Sequence, residues 1–151
     1  MSTQRIRLVH MTTVPYALFY VTGQVGYMKR RGFDVYALSS PGGLLSQFSK
    51  QEDVPVMAVD MERRITPFRD LLSLFRIWRW FRRVRPTIIH AHTPKGGLLG
   101  MLAGWLAGVP VRIYHLHGLR FVTVTGWKRR LLIVTERWAC RLAQQVLCVS
   151  A

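Results

Sequence analysis

The sequence predicts a doubly wound α/β domain on a parallel sheet of about six strands, and three observations carry that prediction. Short β-rich runs alternate with helical ones from end to end. Several strand runs, such as Ile88-Ile89 and Val146-Leu147, are apolar without clean alternation, as strands covered on both faces should be. The length of 151 residues, 50% of them hydrophobic, is that of one ordinary domain with a proper core, which excludes a disordered chain or a stapled mini-protein.

Arg5 to Met11 is the first predicted strand, carrying Ile6, Leu8 and Val9. A polar turn leads into a helix of about three turns ending at Lys29-Arg30-Arg31, with Gly32 as its terminator. Phe33 to Ser39 is the second strand, and Ser39-Ser40-Pro41-Gly42-Gly43 a loop before a short helix to about Gln51. Val54 to Asp60 is the third strand. Pro67 opens a long helix, where a missing N–H is harmless, and Pro86 stops it just after Val84. Thr87 to Ala91 is the fourth strand, Lys95 to Ala107 a helix, and Gly108 its cap. Val111 to His117 is the fifth strand. A loop with Gly118 and Gly126 leads into a helix from about Trp127 to Leu142, and Val146 to Ser150 is the sixth strand. The longest uncharged run, Gly96 to Val111, falls short of the ~20 residues that span a bilayer and reads as a buried helix and turn.

The surface is strongly basic: 22 Lys+Arg against 7 Asp+Glu give a formal net charge of +15, which draws a protein to polyanions. Cys140 and Cys148 make no disulfide framework and have no CxxC-type spacing. They are expected as two reduced thiols of a cytosolic protein, the first in a helix and the second in a buried strand. The N-terminal residues lack the apolar stretch of a signal peptide.

Ligands of such sheets bind beyond the carboxyl ends of the strands. After the first strand stands His10-Met11-Thr12-Thr13-Val14-Pro15 with no GxGxxG, which argues against a nicotinamide or flavin enzyme. Gly23 is left to either close backbone approach to a ligand or tight helix packing. The fourth strand delivers His90-Ala91-His92-Thr93-Pro94-Lys95-Gly96-Gly97. Thr93 is an expected N-cap with Pro94 at the first helical position, and the free N–H groups beside Lys95 suit an anion. Gly96, Gly97, Gly100 and Gly104 can also let that helix lie close on the sheet. The fifth strand ends in Tyr114-His115-Leu116-His117-Gly118. Strand periodicity puts His115 and His117 on one face, as it does His90 and His92. Two HxH pairs suggest a metal centre, yet no Asp or Glu lies near either in sequence, so no metal is expected. The pairs read instead as one ligand-facing and one buried, hydrogen-bonded imidazole each, with His117 the better functional candidate.

Between Arg63 and Arg85 eight arginines accompany a single acid, Asp70. On the long helix Leu71, Leu74, Phe75 and Trp78 form an apolar stripe, while Arg69, Arg76, Arg79 and Arg83 gather on another face with Trp80 beside them. Arginines with an exposed aromatic residue suit an anionic lipid surface. No helix-turn-helix, RNP or zinc-finger signature is present, so nucleic acid is not an expected partner.

The ordered set of motifs resembles the N-terminal, acceptor-side domain of the family-4 glycosyltransferases, which retain anomeric configuration and have the two-domain GT-B fold. The matching residues are Lys29-Arg30-Arg31-Gly32-Phe33-Asp34-Val35, Arg85-Pro86-Thr87-Ile88-Ile89-His90-Ala91-His92 and Thr93-Pro94-Lys95-Gly96-Gly97-Leu98-Leu99-Gly100. They continue with Leu106-Ala107-Gly108-Val109-Pro110, His115-Leu116-His117-Gly118, and Glu136-Arg137 through Cys148-Val149-Ser150, so the likeness runs over residues 1–151.

The resemblance implies transfer of a sugar from a nucleotide-sugar donor, with no metal cofactor, to a lipid-linked or polysaccharide acceptor in cell-envelope assembly. It implies that His117 lies near the donor sugar and its phosphates. Gly23 is the nearest match to a glycine that approaches the diphosphate, and the Thr93-Pro94-Lys95-Gly96 loop lines the same cleft, flanked by His92 and Gly118. Arg69, Arg76, Arg79, Arg83 and Trp80 would dock on the inner face of the cell membrane. The family's donor-binding C-terminal domain has no counterpart in this sequence, so the chain alone is expected to be inactive. A non-catalytic basic module for membranes or a partner protein is the alternative.

Overall fold

In a computed structural model the protein is described over residues 5–118 and 122–149. Among the described residues strands and helical segments follow one another in this order. Strand β1 (Arg7–Met11) is followed by a 3₁₀ segment (Pro15–Val21) that runs into α1 (Thr22–Arg30). Then come β2 (Asp34–Ser39), α2 (Gly43–Glu52), β3 (Val56–Ala58), α3 (Pro67–Val84) and β4 (Ile88–Ala91). The chain continues through α4 (Pro94–Leu106), β5 (Val111–Leu116), α5 (Gly126–Leu142) and β6 (Gln145–Cys148). All six strands are parallel in the order β3-β2-β1-β4-β5-β6. The expected elements are all present, with ends displaced by a residue or two; Ser150, expected in the last strand, lies outside the described residues.

Alternation along the strands sorts the core into two halves. Leu8, Val35 and Ala37 pack with Val25 and Phe48 from α1 and α2 on one face. Val9, Met11, Ile89 and Tyr114 pack with Ile77, Phe81, Met101 and Ala139 from α3, α4 and α5 on the other. The edge strand β6 departs from expectation: Val146 and Leu147 are 39% and 42% exposed, and Cys148 is exposed rather than buried. An edge strand has a neighbour on one side only, and an apolar run cannot reveal that. Both cysteines are free thiols.

Helix α4 lies unusually close to the sheet. A Cβ built on Gly97 would stand 2.1 Å from the Tyr114 ring, one on Gly100 2.8 Å from Met11 Sδ, and one on Gly104 2.6 Å from Ile89 Cδ1. The packing role expected of these glycines is therefore real. Tyr114 is fully buried beneath the helix and donates its hydroxyl proton to Glu136 Oε2 at 2.8 Å. Burial pushes the Glu136 carboxyl above its usual range, partly offset by that hydrogen bond. Gly23 is the counter-example. It is exposed on α1 with open space where a Cβ would sit, so neither packing nor a positive φ demands glycine there.

Gly97→Ala should therefore cost about 1–3 kcal/mol through overpacking against Tyr114. Gly23→Ala should be neutral or stabilise by up to about 1 kcal/mol, because alanine gives up less conformational entropy in a helix. Urea midpoints of the two variants test the contrast, and an equal effect of both would contradict it.

Candidate functional site

The strand order reverses between β1 and β4, and two loops meet there. The Thr13 N–H donates to Thr93 Oγ1 at 2.8 Å, the two hydroxyl oxygens are 2.7 Å apart, and the Gly96 N–H donates to Thr13 Oγ1 at 2.9 Å. Thr93 does occupy the N-cap position of α4, but its own hydroxyl makes no capping bond. The cap comes from across the crevice. A Cβ on Gly96 would lie 2.6 Å from Thr93 Oγ1 and 3.2 Å from the Thr13 nitrogen, so only glycine allows the two loops to meet.

This contact changes the expected anion site. The Gly96 N–H is already satisfied. Lys95 Nζ donates to Asp70 Oδ1 at 2.7 Å and to the Arg64 carbonyl, with its side chain only 14% exposed, so a carboxylate offsets its charge. The positive group at the mouth is Arg63. With Thr13, Tyr16, Thr93 and Lys95 it lines a cleft of about 270 Å³. Its guanidinium hydrogen-bonds the Tyr16 hydroxyl at 3.3 Å and sits 5.7 Å from that ring's centre. Among the described residues no carboxylate pairs with Arg63. The loop bearing it is held by Ser40, whose hydroxyl accepts the Met61 N–H at 3.1 Å and donates to the Thr13 carbonyl at 2.7 Å. Nothing local in the sequence distinguishes Arg63 from its neighbours; the anchor is a residue more than twenty positions away.

All five histidines of the chain meet at the same end of the sheet. His10 and His90 are lateral neighbours on β1 and β4. His10 Nδ1 and His92 Nε2 are 3.1 Å apart, and His92 Nδ1 and His117 Nε2 are 3.4 Å apart. The His90 and His115 rings lie nearly parallel at 5.4 Å, and those of His115 and His117 stack at 4.2 Å. Each HxH pair shares a face, as strand periodicity requires. His92, expected in the cleft, is 3% exposed and stands behind His117, where it can orient that ring. His117 is exposed, precedes the exposed Gly118, and is stacked on Tyr20 at 6.0 Å. From the segment that carries Gly23 it is Tyr20, three residues earlier, that reaches the cluster. His10 was missed in sequence because a lone strand histidine gains meaning only from its lateral neighbour.

Burial holds these imidazoles neutral. It lowers the His10 pKa to about 4 and that of His90 to about 3, the latter helped by its neighbouring histidines. His92 is pushed down further for the same reasons, and burial also lowers His115 and His117.

The second surface is α3. The buried seam is Ser73, Ile77 and Phe81; of the apolar stripe read in the sequence, Leu74 and Trp78 pack against the core, while Leu71 and Phe75 are 65% and 51% exposed. Phe68 and Leu72 join them at 90% and 50% exposure. Ser73 disguised the seam. Its hydroxyl lies 2.6 Å from the Asp60 carbonyl and 2.8 Å from that of Arg69 and gives its one proton to this pair of acceptors, so a small polar residue sits satisfied in the buried seam. Trp80, expected beside the arginines, turns inward instead, 6.2 Å from the Tyr36 ring and 5.8 Å from Phe81. Arg76, Arg79 and Arg83 are exposed, and Arg69 pairs with Glu62. The exposed apolar residues form an open groove with Trp78 and with Leu106 of α4. No helix among the described residues is long and apolar enough to cross a membrane.

The neutral histidines make stability depend on pH. An unfolded histidine takes up a proton near pH 6.5, whereas folded His10 and His90 resist until about 4 and about 3. The unfolded state therefore binds more protons below about 6.5. Stability should fall as pH drops through that window and stay level above it. Urea midpoints at pH 7.5 and at pH 5 measure this. The double variant His10→Asn/His90→Asn should show a shallower slope, and an unchanged slope would remove the cluster as its cause.

The fold has solved counterparts. Residues matching this chain occur in MurG of Acinetobacter baumannii (TM-score 0.69, 18% identity, 97% of this chain and 42% of that one). They also occur in a UDP-N-acetylglucosamine 2-epimerase (TM-score 0.72, 16% identity, 96% and 42%). A third is Anabaena Alr3699/HepE in complex with UDP (TM-score 0.67, 16% identity, 93% and 37%). At these identities the likeness concerns fold alone: a Rossmann-like half of a GT-B architecture. In sequence, the chain is 32% identical over 144 residues to the capsular polysaccharide biosynthesis glycosyltransferase CapM of Staphylococcus aureus, covering 95% of this chain and 37% of that protein. It is 25% identical over 121 residues to the UDP-Gal:alpha-D-GlcNAc-diphosphoundecaprenol alpha-1,3-galactosyltransferase of Escherichia coli, covering 78% and 30%. The chain thus spans about a third of the length of these curated relatives. Residues 4–151 match the glycosyl transferase 4-like domain, and the chain belongs to that family.

Proposed function

We propose that this domain is the acceptor-side half of a glycosyltransferase that moves a sugar, with retention, from a nucleotide-sugar donor to a lipid-linked or polysaccharide acceptor of the cell envelope. The observation that carries it is the carboxyl end of the sheet, where exposed His117 ends the histidine cluster and Arg63 lines the cleft between the loop after β1 and the start of α4, in a family whose relatives include a capsular enzyme and one named for a diphosphoundecaprenol acceptor. A nucleotide diphosphate leaves with negative charge developing on it, so fixed donors and cations aimed at that charge lower the barrier. His117, neutral at pH 7, can donate a hydrogen bond to the sugar or the departing phosphate, with His92 behind it holding the ring. Arg63 supplies the cationic group in place of the neutralised Lys95. The donor's nucleotide would be held by a second, donor-binding domain. Among the described residues lining the cleft none is a carboxylate, and the transfer we propose takes the front-face route.

Membrane contact in this reading runs through the exposed face of α3. Phe68, Leu71, Leu72 and Phe75 would enter the headgroup boundary, while Arg76, Arg79 and Arg83 meet anionic lipid. This choice of occupant rests on charge: apolar side chains interleaved with arginines complement an anionic bilayer better than a protein core.

Two measurements test the reading. The chain, with a separately produced donor-binding domain of the Staphylococcus aureus relative, is assayed against UDP-sugars and polyprenyl-diphosphate-linked acceptors. His117→Ala should lower turnover about 10²–10³-fold with the fold intact; near-normal turnover would take His117 off the list, and sugar transfer by the chain alone would refute the need for a second domain. In co-sedimentation, the protein should bind phosphatidylglycerol vesicles and not phosphatidylcholine ones. Phe68→Ser/Leu72→Ser should abolish that binding, and retention by the double variant would exclude this face.

A further inference from the structure

Three ring nitrogens of the histidine cluster are buried without a hydrogen-bond partner among the described residues: His10 Nε2, His90 Nε2 and His115 Nδ1. Buried polar atoms in folded proteins are nearly always paired, so an orphan of this kind calls for an ion or a water. Imidazole is a favoured ligand of zinc and its neighbours in the first transition row. The chemistry of the donor set and one of these atoms, His115 Nδ1, point the same way.

Geometry selects three of the five. One nitrogen from each of His92, His115 and His117 falls within 4.8 Å of the other two. A tetrahedral ion with metal–nitrogen bonds of about 2.0–2.1 Å separates its ligand atoms by roughly 3.3 Å. His92 Nδ1 and His117 Nε2 already stand 3.4 Å apart, and His115, whose Nδ1 is unpartnered, completes the triad. A ligating histidine normally donates its second ring N–H to an acceptor that fixes its tautomer. His10 Nδ1, 3.1 Å from His92 Nε2, is placed to be that acceptor. The inner triad of His10, His90 and His92 also satisfies the distance limit, but all three are buried, so an ion has no entry there. In the outer triad His117 is exposed and leaves a way in.

We propose that His92, His115 and His117 form a three-histidine site for a divalent transition-metal ion of the zinc type, with His10 orienting His92. Three neutral imidazoles leave a fourth position open and the ion's charge uncompensated, so a hydroxide or another small anion completes the shell. His10 Nε2 and His90 Nε2 lie deeper and are not ligands. An ion there replaces the direct His92–His117 contact that the sugar-transfer reading uses, so the two are alternative states of the same pair, and the test of the site involves no turnover.

Untagged protein is titrated with Co²⁺ as a spectroscopic probe, then with Zn²⁺. The expected result is ligand-field absorption saturating at one ion per chain, displaced by one equivalent of Zn²⁺, with a rise in unfolding temperature. His117→Ala removes an exposed side chain and leaves the core alone, so it stays decisive even where buried His92→Ala fails to fold. It should weaken binding by about tenfold or more, and His115→Gln should do the same. Affinity unchanged in both variants would place the ion elsewhere. Thiolate charge-transfer bands that vanish in Cys148→Ser would do so too. Absence of stoichiometric binding by the wild-type chain would leave the orphan nitrogens to water. Any of these three results overturns the proposal.

Discussion

The close seating of α4 on the sheet is the constraint from which the rest follows. Bare backbone at Gly97, Gly100 and Gly104 lets the helix descend until Tyr114, Met11 and Ile89 fill the places its side chains would have taken. Interiors pack at crystal-like density, so the helix has little room to shift from this seating. It delivers the helix start, at Gly96, against the loop leaving β1, where Thr13 and Thr93 close the contact. The crevice at the strand-order reversal is therefore a rigid seam between two loops. Its width is set by the absence of side chains a dozen ångströms along the same helix, about eight residues at 1.5 Å each.

That seam also explains the distribution of charge. A basic protein must keep its cations apart or pair them, and the few acids are spent with care. Asp70 neutralises Lys95 and also accepts from the Thr66 hydroxyl and N–H at the start of α3, so one carboxylate ties α3 to α4. Arg63 is left facing the cleft. The histidines follow the opposite logic: burial keeps them uncharged, so five imidazoles can share one corner without the repulsion that five cations would bring. They form a polar but neutral floor running from buried His10 to exposed His117.

Helix α3 shows how a pattern can be legible and its direction misleading. The stripe of Leu71, Leu74, Phe75 and Trp78 follows helical periodicity, but only its Leu74 and Trp78 side reaches the core. The buried seam lies beside it, along Ser73, Ile77 and Phe81, where Ser73 is small enough for close packing and has backbone carbonyls to accept its proton. What is left outside is a row of phenylalanines and leucines between arginines, a composition unsuited to water alone. The edge strand β6 misleads in a similar way, since its apolar run says nothing about how many neighbours it has.

The sequence by itself determined the alternation of elements, the helix stops at Gly32 and Gly108, the glycine face of α4, the shared faces of the two HxH pairs and the family. These are local or near-local properties: periodicity, a missing Cβ, a positive φ, an ordered series of motifs. Tertiary structure alone decided which ends meet. It brought His10 beside His90, set His92 behind His117, engaged Lys95 with Asp70, carried Arg63 to the cleft mouth and turned Trp80 inward. Each depends on lateral strand pairing or on a contact between residues far apart in the chain. Such contacts are fixed by the packing of the whole domain, and no window of sequence contains them.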